Sequence, residues 1–224
     1  MKQKAYYPIN VDLKDRQCLV VGGGEIAERK VASLLECDAM VTVVSPDVTK
    51  KLAALASKGK ISHIKQKYQD KYIKNVFLVI AATDDQTVNT LIARHAGKRN
   101  ILLNVVDVPE LCNFIVPSVI RQGPMVMGIS TSGHSPVFAQ KFREKCEKCV
   151  TPAVGAFVKM MGNSRKEVKG CCDSIPKRKD VYLEMINSPI LSLLEQGKIR
   201  EARQTMHSII EHRADLKVPS TNKG

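Results

Sequence analysis

A chain of 224 residues, 44% of them hydrophobic, can bury one full α/β domain with smaller appended pieces but is short for two large domains. No apolar run approaches the roughly 20 residues of a membrane-spanning helix, and the stretch from Met1 to Pro8 lacks the apolar core of a signal peptide, so the expectation is a cytoplasmic protein without membrane contact. Lysine and arginine number 35 against 22 aspartates and glutamates, an excess of positive charge that attracts polyanions; aromatics are only 4%, however, and no basic stretch offers bases a stacking surface, so nucleic acid is not the expected partner.

The first half alternates strand and helix. Gln17 to Val21 is a short apolar run that stops at glycines, and Glu25 to Glu36 carries Ile26, Ala27, Lys30, Val31, Leu34 and Leu35 near one helical face. Met40 to Val44 is a second strand. Pro46 and Asp47 are expected to open a helix through Leu52 and Leu55 that ends near Gly59, and Ile61 to Ile64 to form a short strand. The unbroken apolar run Val76 to Ala82 fits a parallel strand buried on both faces. Asp84 is expected to cap a helix reaching Gly97, and Ile101 to Val106 to form the fifth strand. This β-α-β-α order predicts a doubly wound parallel sheet.

After Asp107 the pattern changes. Phe114 to Ile120 and Met125 to Ile129 read as two strands linked through Gln122-Gly123-Pro124, and Pro136 opens a helix after the turn Ser130-Thr131-Ser132-Gly133-His134-Ser135. Beyond Val150 only helical periodicity remains, broken around Gly170 to Pro176 and at Pro189.

Gly22-Gly23-Gly24-Glu25-Ile26-Ala27 fits G-x-G-x-x-A between a predicted strand and a predicted helix, the context that makes it a dinucleotide-binding turn. The first glycine permits the turn, the second lets backbone approach a pyrophosphate, and the helix N-terminus offers free N–H groups and partial positive charge. The second strand ends in Ser45-Pro46-Asp47, candidates for the ribose hydroxyls; with no arginine there, NAD is favoured over NADP, although Lys50 and Lys51 leave NADP open. Thr83 ends the fourth strand on the same sheet edge.

Seven cysteines, an odd number without a secreted framework spacing, read as thiols or metal ligands before disulfides. Cys146 and Cys149 have zinc-ligand spacing, but adjacent Cys171 and Cys172 are poor geometry for a structural zinc, and the five histidines show no ligand spacing; no metal site is assigned.

Gly22-Gly23-Gly24 with Ala27-Glu28-Arg29-Lys30, then Ala81-Ala82-Thr83-Asp84-Asp85, Asn104-Val105-Val106-Asp107 and Ser130 to Pro136 occur in one order that resembles the precorrin-2 dehydrogenase family, including the N-terminal module of siroheme synthase. The resemblance is strong from Tyr7 to Lys145 and looser beyond. It implies an α/β protein: a Rossmann-type parallel sheet domain at 1–113 that binds NAD, a small α/β dimerisation segment at 114–149 and a helical C-terminal region at 150–213. A polar tail at 214–224 is expected to be disordered.

The activity implied is NAD-dependent oxidation of precorrin-2 to sirohydrochlorin by a homodimer. Some family members also insert ferrous iron and others do not, so chelation stays open. The resemblance puts the family's key aspartate at Asp107, where a carboxylate after a buried strand can accept a proton; the rival role is a turn cap. Asn104, Thr131, Ser132 and Gly133 are the expected substrate contacts, although the family's Ser-Gly-Gly core reads Thr131-Ser132-Gly133 here. The many carboxylates of precorrin-2 fit the basic composition, with Arg121, Lys141, Arg143 and Lys145 as candidates to meet them. The alternative is an NAD-sensing regulatory domain that binds nucleic acid or gates a transporter; it accounts for neither Asp107 nor the Ser130 to Pro136 turn.

Overall fold

The structure, a computed structural model, describes residues 5–215 and divides the chain into two compact units. The first runs to Val116 and includes Ser132–His134; the second comprises Pro117–Thr131 and the chain from Ser135 onward.

In the first unit β1 (Gln17–Val21), α1 (Glu25–Leu35), β2 (Met40–Val44), α2 (Lys50–Ser57), β3 (Ser62–Ile64), β4 (Leu78–Ala81), α3 (Gln86–Gly97) and β5 (Leu102–Val105) follow one another, with short 3₁₀ turns at Asp70–Ile73 and Pro109–Leu111. The five strands are parallel in the order β3-β2-β1-β4-β5, a doubly wound sheet that reverses direction at β1. Strand side chains alternate between faces, so both faces need cover. Val20, Val43 and Ile80 pack on one face against Ala27, Val31 and Leu34 of α1 and Leu52 of α2. Leu19, Val79, Leu103 and Val105 pack on the other against Ile92 and Ala96 of α3, with Ile73.

Three expectations are corrected here. The second helix starts at Lys50 rather than Pro46, because Pro46 to Val48 pass beside the glycine turn and Thr49 takes the cap, its hydroxyl accepting the Leu52 N–H at 3.2 Å. Asp85, not Asp84, caps α3; its Oδ1 accepts the N–H groups of Thr87 at 2.9 Å and Val88 at 3.1 Å. The strand expected from Phe114 starts at Ser118, because Phe114 packs into the sheet core and its carbonyl accepts the Asn104 side-chain amide at 3.2 Å.

In the second unit β6 (Ser118–Gln122) and β7 (Met125–Ile129) form an antiparallel hairpin. Among the described residues six helices follow: α4 (Pro136–Glu147), α5 (Pro152–Asn163), α6 (Arg165–Cys171), α7 (Ile175–Asn187), α8 (Ile190–Glu195) and α9 (Ile199–Asp215). Phe157, Val168, Val181, Met185, Ile190, Ala202 and Met206 form their common core. The tail was expected to lose order from Ala214, yet α9 runs to Asp215; the rest of the tail lies outside the described residues. Among the described residues no helix is long and apolar enough to cross a membrane.

Candidate functional site

Strand register gathers the candidate residues of the first unit along one sheet edge. Val21 is level with Val44 and Ala81, and Ala81 with Val105. The segments that leave these four residues carry Gly22 to Gly24, Ser45 to Asp47, Thr83 and Asp107. At the usual strand spacing the columns of β1 and β5 stand about 10 Å apart. The C-terminal edge where the sheet order reverses is where open α/β sheets take their ligands.

The three glycines do different work. Gly22 has φ +115°, and a Cβ there would sit 2.1 Å from the Ala82 carbonyl oxygen. A Cβ on Gly23 would sit 1.9 Å from the carbonyl oxygen of Asp47, so the turn and the β2–α2 loop touch backbone to backbone. Gly24 is the N-cap of α1 and makes no side-chain cap, and a Cβ there would meet nothing within 4 Å. Glu25 and Ile26 begin the helix, where N–H groups have no intrahelical acceptor and the helix carries roughly half a positive charge. Open space, free donors and positive potential at one point suit the pyrophosphate of a dinucleotide.

The loop after β2 is fixed on several sides. Ser45 donates its N–H to Ile64 O at 3.2 Å, and its carbonyl is 2.9 Å from His63 Nε2. Thr49 donates its N–H to Gly23 O at 2.9 Å and its hydroxyl to Glu28 Oε2 at 2.8 Å, while Lys51 Nζ pairs with Glu28 Oε1 at 2.8 Å. These bonds from Lys51 and Thr49 hold the Glu28 carboxyl below its ordinary pKa, and the same pairing raises that of Lys51. Pro46 and Asp47 are exposed at the loop tip. Thr83 accepts the Asp85 N–H on its hydroxyl at 3.2 Å, and its carbonyl is held at 3.0 Å by Asn89 Nδ2.

Asp107 is exposed in the turn after β5 with φ +59°, the left-handed region that aspartate and asparagine tolerate best among residues with a Cβ. The buried Cys112 thiol fastens this turn: its sulfur accepts the Val105 N–H at 3.1 Å, and its S–H faces Val105 O at 3.2 Å and Val108 O at 3.4 Å. Lys30, half-buried on α1, has its pKa lowered by burial first and by Arg29 second, while the charges of Asp107 and Cys112 act the other way. Neither Lys30, Cys112 nor the pairing of Glu28 with Thr49 and Lys51 was given a role from sequence, where Lys51 stood only as a cation that leaves NADP open. Thr49 before the Leu52/Leu55 pattern was the available cap signal; the partners of Cys112 and Lys30 left no sequence trace.

The expected substrate residues are more varied. Both amide hydrogens of Asn104 are engaged internally, toward Phe114 O at 3.2 Å and Cys112 Sγ at 3.7 Å. Thr131 Oγ1 accepts the Ser135 N–H at 3.0 Å; Ser132 and Gly133 follow with φ +54° and +87°. Ser135 caps α4 by accepting the Phe138 N–H at 3.2 Å, with Pro136 at the helix start. Of the basic candidates, Lys141 pairs with Glu144 at 2.8 Å and Arg143 pairs with Glu147, whereas Lys145 is exposed. Cys171 and Cys172 lie buried in the helical core, and among the described residues no group of three or more His, Cys, Asp or Glu side chains is placed to hold a metal ion.

Fold and site together define a protein of the dinucleotide-binding Rossmann class. A family model described as "Putative NAD(P)-binding" matches residues 9–118, and one described as "Sirohaem synthase dimerisation region" matches residues 153–210. A siroheme synthase of Methylobacillus flagellatus is 39% identical over 213 residues, covering 93% of this chain and 45% of that protein. One of Thioalkalivibrio sulfidiphilus is 37% identical over 212 residues, covering 95% and 43%. The solved structure of SirC, precorrin-2 dehydrogenase, superposes with a TM-score of 0.75 at 27% identity, covering 91% of this chain and all of that one. The chain belongs to the family of precorrin-2 dehydrogenases and siroheme synthases, and it spans less than half the length of these siroheme synthases.

Proposed function

We propose that this chain is an NAD-dependent precorrin-2 dehydrogenase, oxidising precorrin-2 to sirohydrochlorin in siroheme biosynthesis. The observation that carries the reading is the uncapped, sterically open start of α1 at Gly24 on the same sheet edge as Asp107. The names of the relatives support the choice of substrate. The rival regulatory reading gains nothing from them.

Gly22 and Gly23 shape the turn, the N–H groups from Gly24 to Ile26 bind the pyrophosphate, Ser45, Pro46 and Asp47 border the adenine ribose, and Thr83 borders the cofactor along β4. NAD, when bound, supplies the hydride acceptor. The oxidation removes one hydride and one proton from the tetrapyrrole, and Asp107 accepts the proton. The Cys112 thiol holds the turn that presents this carboxylate. Ser132 and Gly133 offer backbone N–H groups to substrate carboxylates, with Thr131 bracing the turn through Ser135. The protein acts as a cytoplasmic homodimer: the dimerisation-region match covers residues 153–210, beyond the 114–149 segment that the resemblance implied, and α4 within that segment adds the exposed Val137, Phe138 and Phe142. Ferrous iron, if inserted, is a second substrate.

Asp107→Asn tests the reading, because asparagine keeps the shape and tolerates φ +59° but cannot act as the base. Turnover should fall by roughly 10²–10⁴ while NAD affinity holds. Wild-type turnover would leave Asp107 a turn residue. Chelation assayed on the same variant shows whether the two activities share a site.

A further inference from the structure

We propose that Glu28 locks the adenine-ribose loop onto the glycine turn and, by holding Lys51, sets the preference for NAD over NADP; the inference rests on the NAD reading above. Both carboxylate oxygens of Glu28 are spent on the start of α2, one on the Thr49 hydroxyl and one on Lys51 Nζ, each at 2.8 Å. Thr49 is in turn bonded to Gly23 O and caps α2 at Leu52. One carboxylate therefore joins α1, which carries the pyrophosphate site, to the segment that borders the ribose.

The charge pattern gives the lock a second consequence. A 2′-phosphate brings a dianion to the loop after β2, where NADP-binding sheets place a cation. Residues 45–49 read Ser-Pro-Asp-Val-Thr and supply one negative charge and no positive one. The nearest cations in sequence are Lys50 and Lys51, and Lys51 is paired with Glu28 at 2.8 Å. The His63 ring is occupied with Ser45 O on one nitrogen.

Two variants separate the two roles. Glu28→Gln keeps an oxygen for the Thr49 hydroxyl and releases Lys51. Glu28→Ala removes both partners. The readouts are dissociation constants for NAD and NADP by calorimetry, and amide hydrogen exchange at Thr49 and Leu52 in ligand-free protein. In Glu28→Gln the NADP/NAD ratio of dissociation constants should fall roughly three- to fivefold, the size of one exposed ion pair. The gain should vanish in Glu28→Gln/Lys51→Met. In Glu28→Ala exchange at Thr49 and Leu52 should accelerate about tenfold, with NAD weakened to a similar degree. An unchanged ratio in Glu28→Gln overturns the specificity role, and unchanged exchange in Glu28→Ala overturns the lock. Wild-type protein that binds neither nucleotide, with exchange still accelerated in Glu28→Ala, overturns the cofactor reading and leaves the lock standing.

Discussion

Valine at Gly24 and valine at Gly22 should have opposite consequences, although both sit in one motif. At Gly22 the added Cβ lies 2.1 Å from Ala82 O and φ is +115°. Backbone must move, at a cost on the order of 3 kcal/mol or more. At about 2–4 °C per kcal/mol for a chain of this size, the unfolding midpoint should drop by roughly 10 °C. At Gly24 nothing lies within 4 Å and φ is −81°. The loss there is that of a poorer N-cap, about 1 kcal/mol, and a shift of only about 2–4 °C. The new side chain stands instead where the pyrophosphate meets the helix. Losing one charge-assisted hydrogen bond weakens NAD by roughly 10- to 100-fold. Calorimetric NAD titration beside a thermal melt reads both quantities. A Gly24→Val protein with wild-type NAD affinity would refute this placement of the cofactor, whatever its stability.

Substrate capture should depend on ionic strength, because a polycarboxylate meeting a chain of formal charge +13 is steered by long-range fields: kcat/KM should fall with added salt while kcat changes less, and a flat kcat/KM would assign the charge to another partner. Thiol reactivity should be uneven. Burial, then the charge of Cys37, pushes the Cys18 pKa up to about 11, so at pH 8 only about one thiol in 10³ is ionised there; iodoacetamide should label exposed Cys149 and spare Cys18, and peptide mass spectrometry showing Cys18 modified first would contradict the packing of β1.

The Rossmann sheet was legible because its signals are local. Gln17 to Val21 and Met40 to Val44 are apolar runs without competing interpretations, and the glycines between β1 and α1 fix the turn. Boundaries were lost where two residues were chemically equivalent or one run served two purposes. Asp84 and Asp85 are both good caps, and α3 takes Asp85, whose side chain accepts the Thr87 and Val88 N–H groups. Phe114 and Ser118 belong to one β-prone stretch, yet Phe114 fills the sheet core and Ser118 starts a hairpin. At the site, Gly24 and Asp107 could be placed from motif and strand order. The Glu28–Thr49–Lys51 group and the Cys112 thiol could not, because their partners lie 21, 23 and 7 residues away and meet only through the fold.

Mixing purified protein with NAD and precorrin-2 without oxygen, and following NADH absorbance together with the tetrapyrrole spectrum, decides whether the chain is a precorrin-2 dehydrogenase. One NADH should form for each precorrin-2 converted to sirohydrochlorin, with turnover reduced in Asp107→Asn and saturation by NAD weakened in Gly24→Val. No NADH formation by folded wild-type protein that binds NAD would contradict it.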